Sequence, residues 1–177
     1  MMFELAAPKD ASVEKRLSAD VMGWKLTGKY DAVIKNTLLD YKLTSVWAYI
    51  FGKPEWELQA NVNRWLLHKN GVEIHKATNW VLFRDWSESK LKSNKDYPPR
   101  KMMPIDLRLW SIEEAEDYVK TRVDLHQKAR GFESPEEIAR HSPCTDKERW
   151  WNGKFKKYLR CERYCNVSRF CFLNNGS

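Results

Sequence analysis

No apolar run in this chain approaches the roughly eighteen residues that a membrane-spanning helix needs; the longest candidate, Val46 to Phe51, is far shorter. The opening stretch from Met1 to Asp10 lacks the basic and apolar regions of a secretory signal, so the expectation is an intracellular, cytoplasmic protein with no membrane partner. Cysteine is missing from the first 143 residues, and all four cysteines fall within the last 34. In a reducing compartment such clustering argues for metal or cluster ligation over disulfides. Histidine is absent before His68, and His68, His75, His126 and His141 have no companions at metal-ligand spacing, so they read as surface or packing residues.

What is present describes a globular chain. Its 177 residues are 42% apolar and 31% charged, enough for one domain with a real core and a small appendage. The net charge of +7 is unevenly placed: Cys144 to Cys171 holds eight Lys or Arg against three acids. Lys154, Lys156, Lys157 and Arg160 lie there, interleaved with Trp150, Trp151, Phe155, Tyr158, Tyr164 and Phe170. Basic groups among aromatics suit a phosphate backbone with stackable bases. A small metal-stapled lobe with an aromatic core explains the same composition, and both readings stay open.

The chemistry concentrates in Gly28 to Thr44, which reads as a β-hairpin. If Lys35-Asn36 is the two-residue loop of a tight turn, Ile34 pairs with Thr37, and counting outward places Asp31 opposite Asp40. Like charges facing each other across a ladder repel. A hard divalent cation between them turns that repulsion into ligation. Side chains two apart share a strand face, so Lys42 points the same way as Asp40. An ammonium beside such an ion can orient or deprotonate a water and stabilise charge on a phosphate. An acid and a base at this spacing also occur on ordinary solvated faces, which explains Lys29 and Lys35 well. That explanation suits Asp40 poorly, because Leu38, Leu39 and Leu43 make its strand an interior one.

Gly28-x-x-Asp31, then Asp40-Tyr41-Lys42, then Gln59 on a following helix resembles the PD-(D/E)XK nuclease superfamily, in its RecB-like exonuclease branch. The likeness covers about the first half of the chain, and the text from Leu39 to Ser45 is close to that of phage-encoded members. The resemblance implies a restriction-endonuclease-like α/β core, a central mixed β-sheet flanked by helices. It implies that Asp31 and Asp40 hold Mg²⁺ or Mn²⁺, with the Tyr41 carbonyl as a further ligand, that Lys42 serves the water and that Gln59 assists. Two departures stand out. The family's upstream histidine and glutamate are missing, leaving Glu14 as the upstream carboxylate, and Asn63 stands where a tyrosine is usual.

Elsewhere, Trp24 to Ile34 and Leu38 to Leu43 read as strands. A helix begins near Pro54 and ends at Gly71, with Leu58, Val62 and Trp65 as its apolar stripe. Val72 to His75 and Asn79 to Arg84 read as strands, and Ser87 to Arg100 as an exposed loop whose Lys90, Lys92 and Lys95 can meet phosphates. Ile105 to Leu109 alternates as a half-buried strand does. Ser111 to Glu114 is a capping box for a helix running towards Gly131, and Ser134-Pro135-Glu136-Glu137 starts another.

Cys144, Cys161, Cys165 and Cys171 are spaced C-x16-C-x3-C-x5-C. Four thiolates can hold Zn²⁺ tetrahedrally or ligate a [4Fe-4S] cluster, and spacing does not separate the two. The triplet Cys161, Cys165, Cys171 resembles the iron-sulphur staple of some RecB-like and CRISPR-associated exonucleases, which favours the cluster in a structural role. The expected organisation is a nuclease-like core over residues 1–143 and a Cys₄ lobe over 144–177. The expected function is metal-dependent DNA cleavage, exonucleolytic, in recombination, repair or phage replication, with DNA and other recombination or repair proteins as partners. The rival is a nuclease fold that binds nucleic acid or protein without turnover.

Overall fold

The computed structural model describes residues 11–141 and 143–171. Its contacts divide the chain into two compact units, one up to Thr121 and the other from Arg122 onward.

The first unit opens with β1 (Ala11–Val13), the hairpin β2 (Arg16–Val21) and β3 (Trp24–Lys29), then β4 (Ala32–Ile34) and β5 (Thr37–Thr44). The single strand expected over Trp24 to Ile34 is therefore two. The chain changes ladder at Tyr30-Asp31, because β3 pairs with β2 whereas β4 pairs with β1 and β5. The turn at Lys35-Asn36 is as expected: Ile34 pairs with Thr37, and Lys35 takes the positive φ of 54° that such a turn requires. A one-turn helix α1 (Trp47–Ile50) leads to α2 (Pro54–Lys69), which crosses over to β6 (Lys76–Phe83). The crossover lets β6 run parallel to β5. After α3 (Glu88–Ser93), β7 (Met102–Leu107) closes a five-stranded mixed sheet of order β1-β4-β5-β6-β7, flanked by helices as expected. α4 (Ile112–Arg130) begins at the Ser111 capping box, where Ser111 Oγ accepts from the Glu114 N–H at 3.0 Å and a Glu114 carboxylate oxygen accepts from the Ser111 N–H at 2.7 Å.

Two stretches differ from expectation. Val72 to His75 is not a strand; Gly71, at φ 77°, turns the chain out of α2, and the His75 N–H goes to the Asn36 carbonyl instead of a ladder. Ser87 to Arg100 is not simply an exposed loop, since it contains α3 and buries Tyr97, whose hydroxyl donates to the Asp85 carbonyl and accepts from the Ser87 N–H.

The core lies between the sheet and α2. Leu38 and Ala77 pack with Ala60, Leu67 and Ile74, while Val81 and Phe83 pack with Val46 and Tyr97. The buried face of α2 is centred on Ala60, Asn61, Trp65, Leu66 and Leu67, with Leu58 and Val62 only half-buried, so of the expected stripe Trp65 alone is fully enclosed. Asn61 fits inside because its amide is saturated: it donates to the carbonyls of Glu57 and Arg108 and accepts from the Trp110 N–H. Gly28 has a steric reason as well. A Cβ there would stand 2.6 Å from Leu66 Cδ1, so β3 approaches α2 this closely only without a side chain.

The second unit is built from short pieces. They are the remainder of α4, α5 (Pro135–His141), α6 (Asp146–Arg149), the two-residue strands β8 (Trp151–Asn152) and β9 (Lys157–Tyr158), α7 (Leu159–Arg163) and a 3₁₀ turn at Ser168–Phe170. Among the described residues, no helix is long and apolar enough to cross a membrane.

Candidate active site

β5 and α2 bring the predicted site residues together. Asp40 and Lys42 share the sheet face that carries buried Leu38, and that face looks onto α2, where Gln59 sits one turn past Pro54-Glu55. Lys42 Nζ donates to Gln59 Oε1 at 2.7 Å and lies 2.6 Å from Asp40 Oδ2; Gln59 Nε2 in turn donates to Asp40 Oδ1 at 3.3 Å. The three side chains form a closed ring. Asp40 Oδ2 is shut off from solvent, with the Lys42 ammonium against it. Only 15% of the Asp40 side chain and 21% of the Lys42 side chain are exposed.

Burial pushes the Asp40 carboxyl above its ordinary range; the Lys42 hydrogen bond and charge oppose this, and the charge of Asp31 adds to it. Asp31 itself lies just outside β4, and its Oδ2 is fixed by the Tyr41 N–H at 2.9 Å. The same peptide run thus holds one acid by its backbone and carries the other acid and the lysine on either side of Tyr41.

Glu14 does not join the ring. Its backbone N–H donates to the Asp31 carbonyl, but its exposed carboxylate is paired with Lys29 at 2.7 Å. Sequence reasoning missed Asn79. It is the ladder partner of Asp40 on β6, is 2% exposed, and lines a small cavity with Asp40, Gln59, Asn63 and Thr78. An asparagine between Ala77 and Val81 on an inward-facing strand was the available signal.

In the second unit Cys161 is buried, Cys165 and Cys171 are half-buried and Cys144 is exposed, all with free thiols. Desolvation, then the Glu148 carboxylate, pushes the Cys144 thiol up against the opposing pull of Arg160, and Cys171 and Cys161 add to the rise. Among the described residues, no group of three or more His, Cys, Asp or Glu side chains is arranged to hold a metal ion. Of the basic residues predicted to meet DNA, Lys154 and Lys156 are exposed, Lys157 pairs with Glu162 at 2.7 Å, and Arg160 donates to the Glu148 carbonyl. Trp150, Trp151, Phe155 and Tyr164 are each at least half exposed.

No protein-family model and no curated protein sequence matches the chain. Among solved structures, it is similar to a candidate exonuclease from Eubacterium rectale, at 13% identity and a TM-score of 0.46. The match covers 76% of this chain, which spans only about half of that one, 53%.

Proposed function

We propose that this chain is a Mg²⁺- or Mn²⁺-dependent nuclease that hydrolyses DNA phosphodiester bonds as an exonuclease, acting with recombination or repair proteins. The observation that carries the proposal is the closed ring of Asp40, Lys42 and Gln59, with Asp31 held beside it by the Tyr41 N–H. Two carboxylates, Asp40 within the ring and Asp31 held by the backbone N–H of Tyr41, are the hard oxygen donors that a divalent cation takes. Mg²⁺ needs no more than one or two carboxylates, so Asp31 and Asp40, with the Tyr41 carbonyl, are a sufficient protein donor set. When bound, such an ion supplies Lewis-acid polarisation of a phosphoryl oxygen.

The chain's own residues do the rest. Lys42 places a positive charge where negative charge develops on the phosphate, and being half-desolvated it is worth more there than in water. Gln59 fixes the ammonium from one side and Asp40 from the other, so little is left to organise when substrate arrives. Glu14 stays outside this group, tied to Lys29. In the second unit the exposed aromatics offer stacking surfaces next to Lys154 and Lys156, which supports a path for unpaired bases.

Purified protein with Mn²⁺ should degrade linear DNA. Lys42→Ala should lower the rate by about 10²–10³-fold, the loss seen when one preorganised donor at a developing charge is removed, while DNA binding persists. Equal rates in wild type and variant would remove this mechanism.

A further inference from the structure

We propose that Asn79 is a positioning residue for Asp40, acting through a single water held in the cavity between them. The inference rests on the nuclease reading of the site and adds a residue to it. Three observations meet at one place. Asn79 and Asp40 are register partners on neighbouring parallel strands. Asn79 Nδ2 is a buried donor without a hydrogen-bond partner among the described residues, and Asp40 Oδ2 is a buried acceptor beside the Lys42 ammonium at 2.6 Å, with lone-pair capacity to spare. Both residues line a cavity of about 10 Å³, close to the smallest space that accommodates a water.

The chemistry of the pair is complementary. A water there accepts from the Asn79 amide and donates to the inner oxygen of Asp40, satisfying both groups at once. With Oδ2 restrained from below and Oδ1 by Gln59, the Asp40 carboxylate is fixed in rotation. The neighbouring inward positions of β6, Ala77, Val81 and Phe83, are apolar and buried, so a hydrocarbon would serve packing at position 79 equally well. A buried amide with no protein partner weakens the fold, and its service to the carboxylate beside it accounts for its presence. Residues that hold a ligating carboxylate in this way typically change metal affinity or activity by about 10–100-fold when altered.

The test compares Asn79→Leu, which matches asparagine in size but removes the donor, with Asn79→Ser, which keeps a donor and leaves room for water. Asn79→Leu should retain or raise the melting temperature, weaken Mn²⁺ binding measured by calorimetry about 10-fold, and lower kcat on linear DNA with little change in KM. Asn79→Ser should recover most of both losses. Wild-type Mn²⁺ affinity and turnover in Asn79→Leu would overturn this inference alone, as would a fall in melting temperature that accounts for the lost activity. A wild-type chain that neither binds Mn²⁺ nor cuts DNA would sink the nuclease reading, and this inference with it.

Discussion

The unit up to Thr121 and the unit from Arg122 onward are held together by different physics. In the first, contacts between residues far apart in sequence set the geometry: β5 lies on β6 over eight register pairs, and α2 packs on their shared face through Ala60 and Leu67. In the second, short elements are tied together by individual side-chain contacts. Thr145 and Glu148 cap α6 reciprocally, the Tyr158 hydroxyl donates to Asp146 at 2.6 Å, and the Arg149 guanidinium stands 3.5 Å over the Tyr158 ring. Val123 and Cys161 are the buried side chains among its described residues. A site whose members come from separate elements is fixed only where a core fixes the elements. Asp40, Lys42 and Gln59 meet for that reason.

The sharpest way to break this contrast is at Trp65, which is fully buried. Trp65→Ala should cost about 3–5 kcal/mol, the usual range for deleting a core aromatic. In a denaturant titration the loss should appear in the transition of the first unit, and cleavage should fall with it. An effect confined to the second unit would refute the division of labour drawn above.

A smaller effect is expected from a chelator. If the cysteines ligate zinc or an iron-sulphur cluster, stripping the metal should lower amide-exchange protection around Cys161 and leave the transition of the first unit in place, because metal binding and folding are coupled where a core is thin. A purified chain that carries neither zinc nor iron, with four titratable thiols, would remove the ligation altogether.

The smallest expected effect concerns Glu116 on α4. Hydrogen bonds from Lys120, Lys69 and the Trp65 indole hold its carboxyl down to about 2, against an ordinary 4.5. A depressed carboxyl stabilises the fold above its unfolded value, and the contribution is lost as pH falls from about 4.5 towards about 2. The group is largely solvated, so Glu116→Gln should cost roughly 0.5–1 kcal/mol at neutral pH. The difference from wild type should shrink steadily in melts taken from about pH 4.5 down towards about 2; a gap that widens on acidification would reverse the assignment.

The hairpin and its chemistry were legible because they are local. A two-residue turn at Lys35-Asn36 dictates the register, which sets Lys42 on the face of Asp40, while Asp31, just beyond the last ladder pair of Ala32 with Leu39, reaches the Tyr41 N–H. The capping box at Ser111 was readable for the same reason. What could not be read depends on partners distant in sequence. Tyr97 is buried by Val46, Val81 and Phe83, which nothing in the polar text around it announces. Val72 to His75 looks like a strand, yet its His75 N–H goes to the Asn36 carbonyl at the hairpin turn. Asn79 is unremarkable until the ladder sets it against Asp40.

Composition and local pattern alone determined that the chain holds both strands and helices, a basic and aromatic C-terminal stretch and an acid-lysine hairpin, since each is a property of residues within a few positions of one another. Only the tertiary structure decided which residues surround Asp40. That depends on how β6 and α2 lie against β5, and such placement comes from burying apolar surface across the whole unit, which local sequence does not encode.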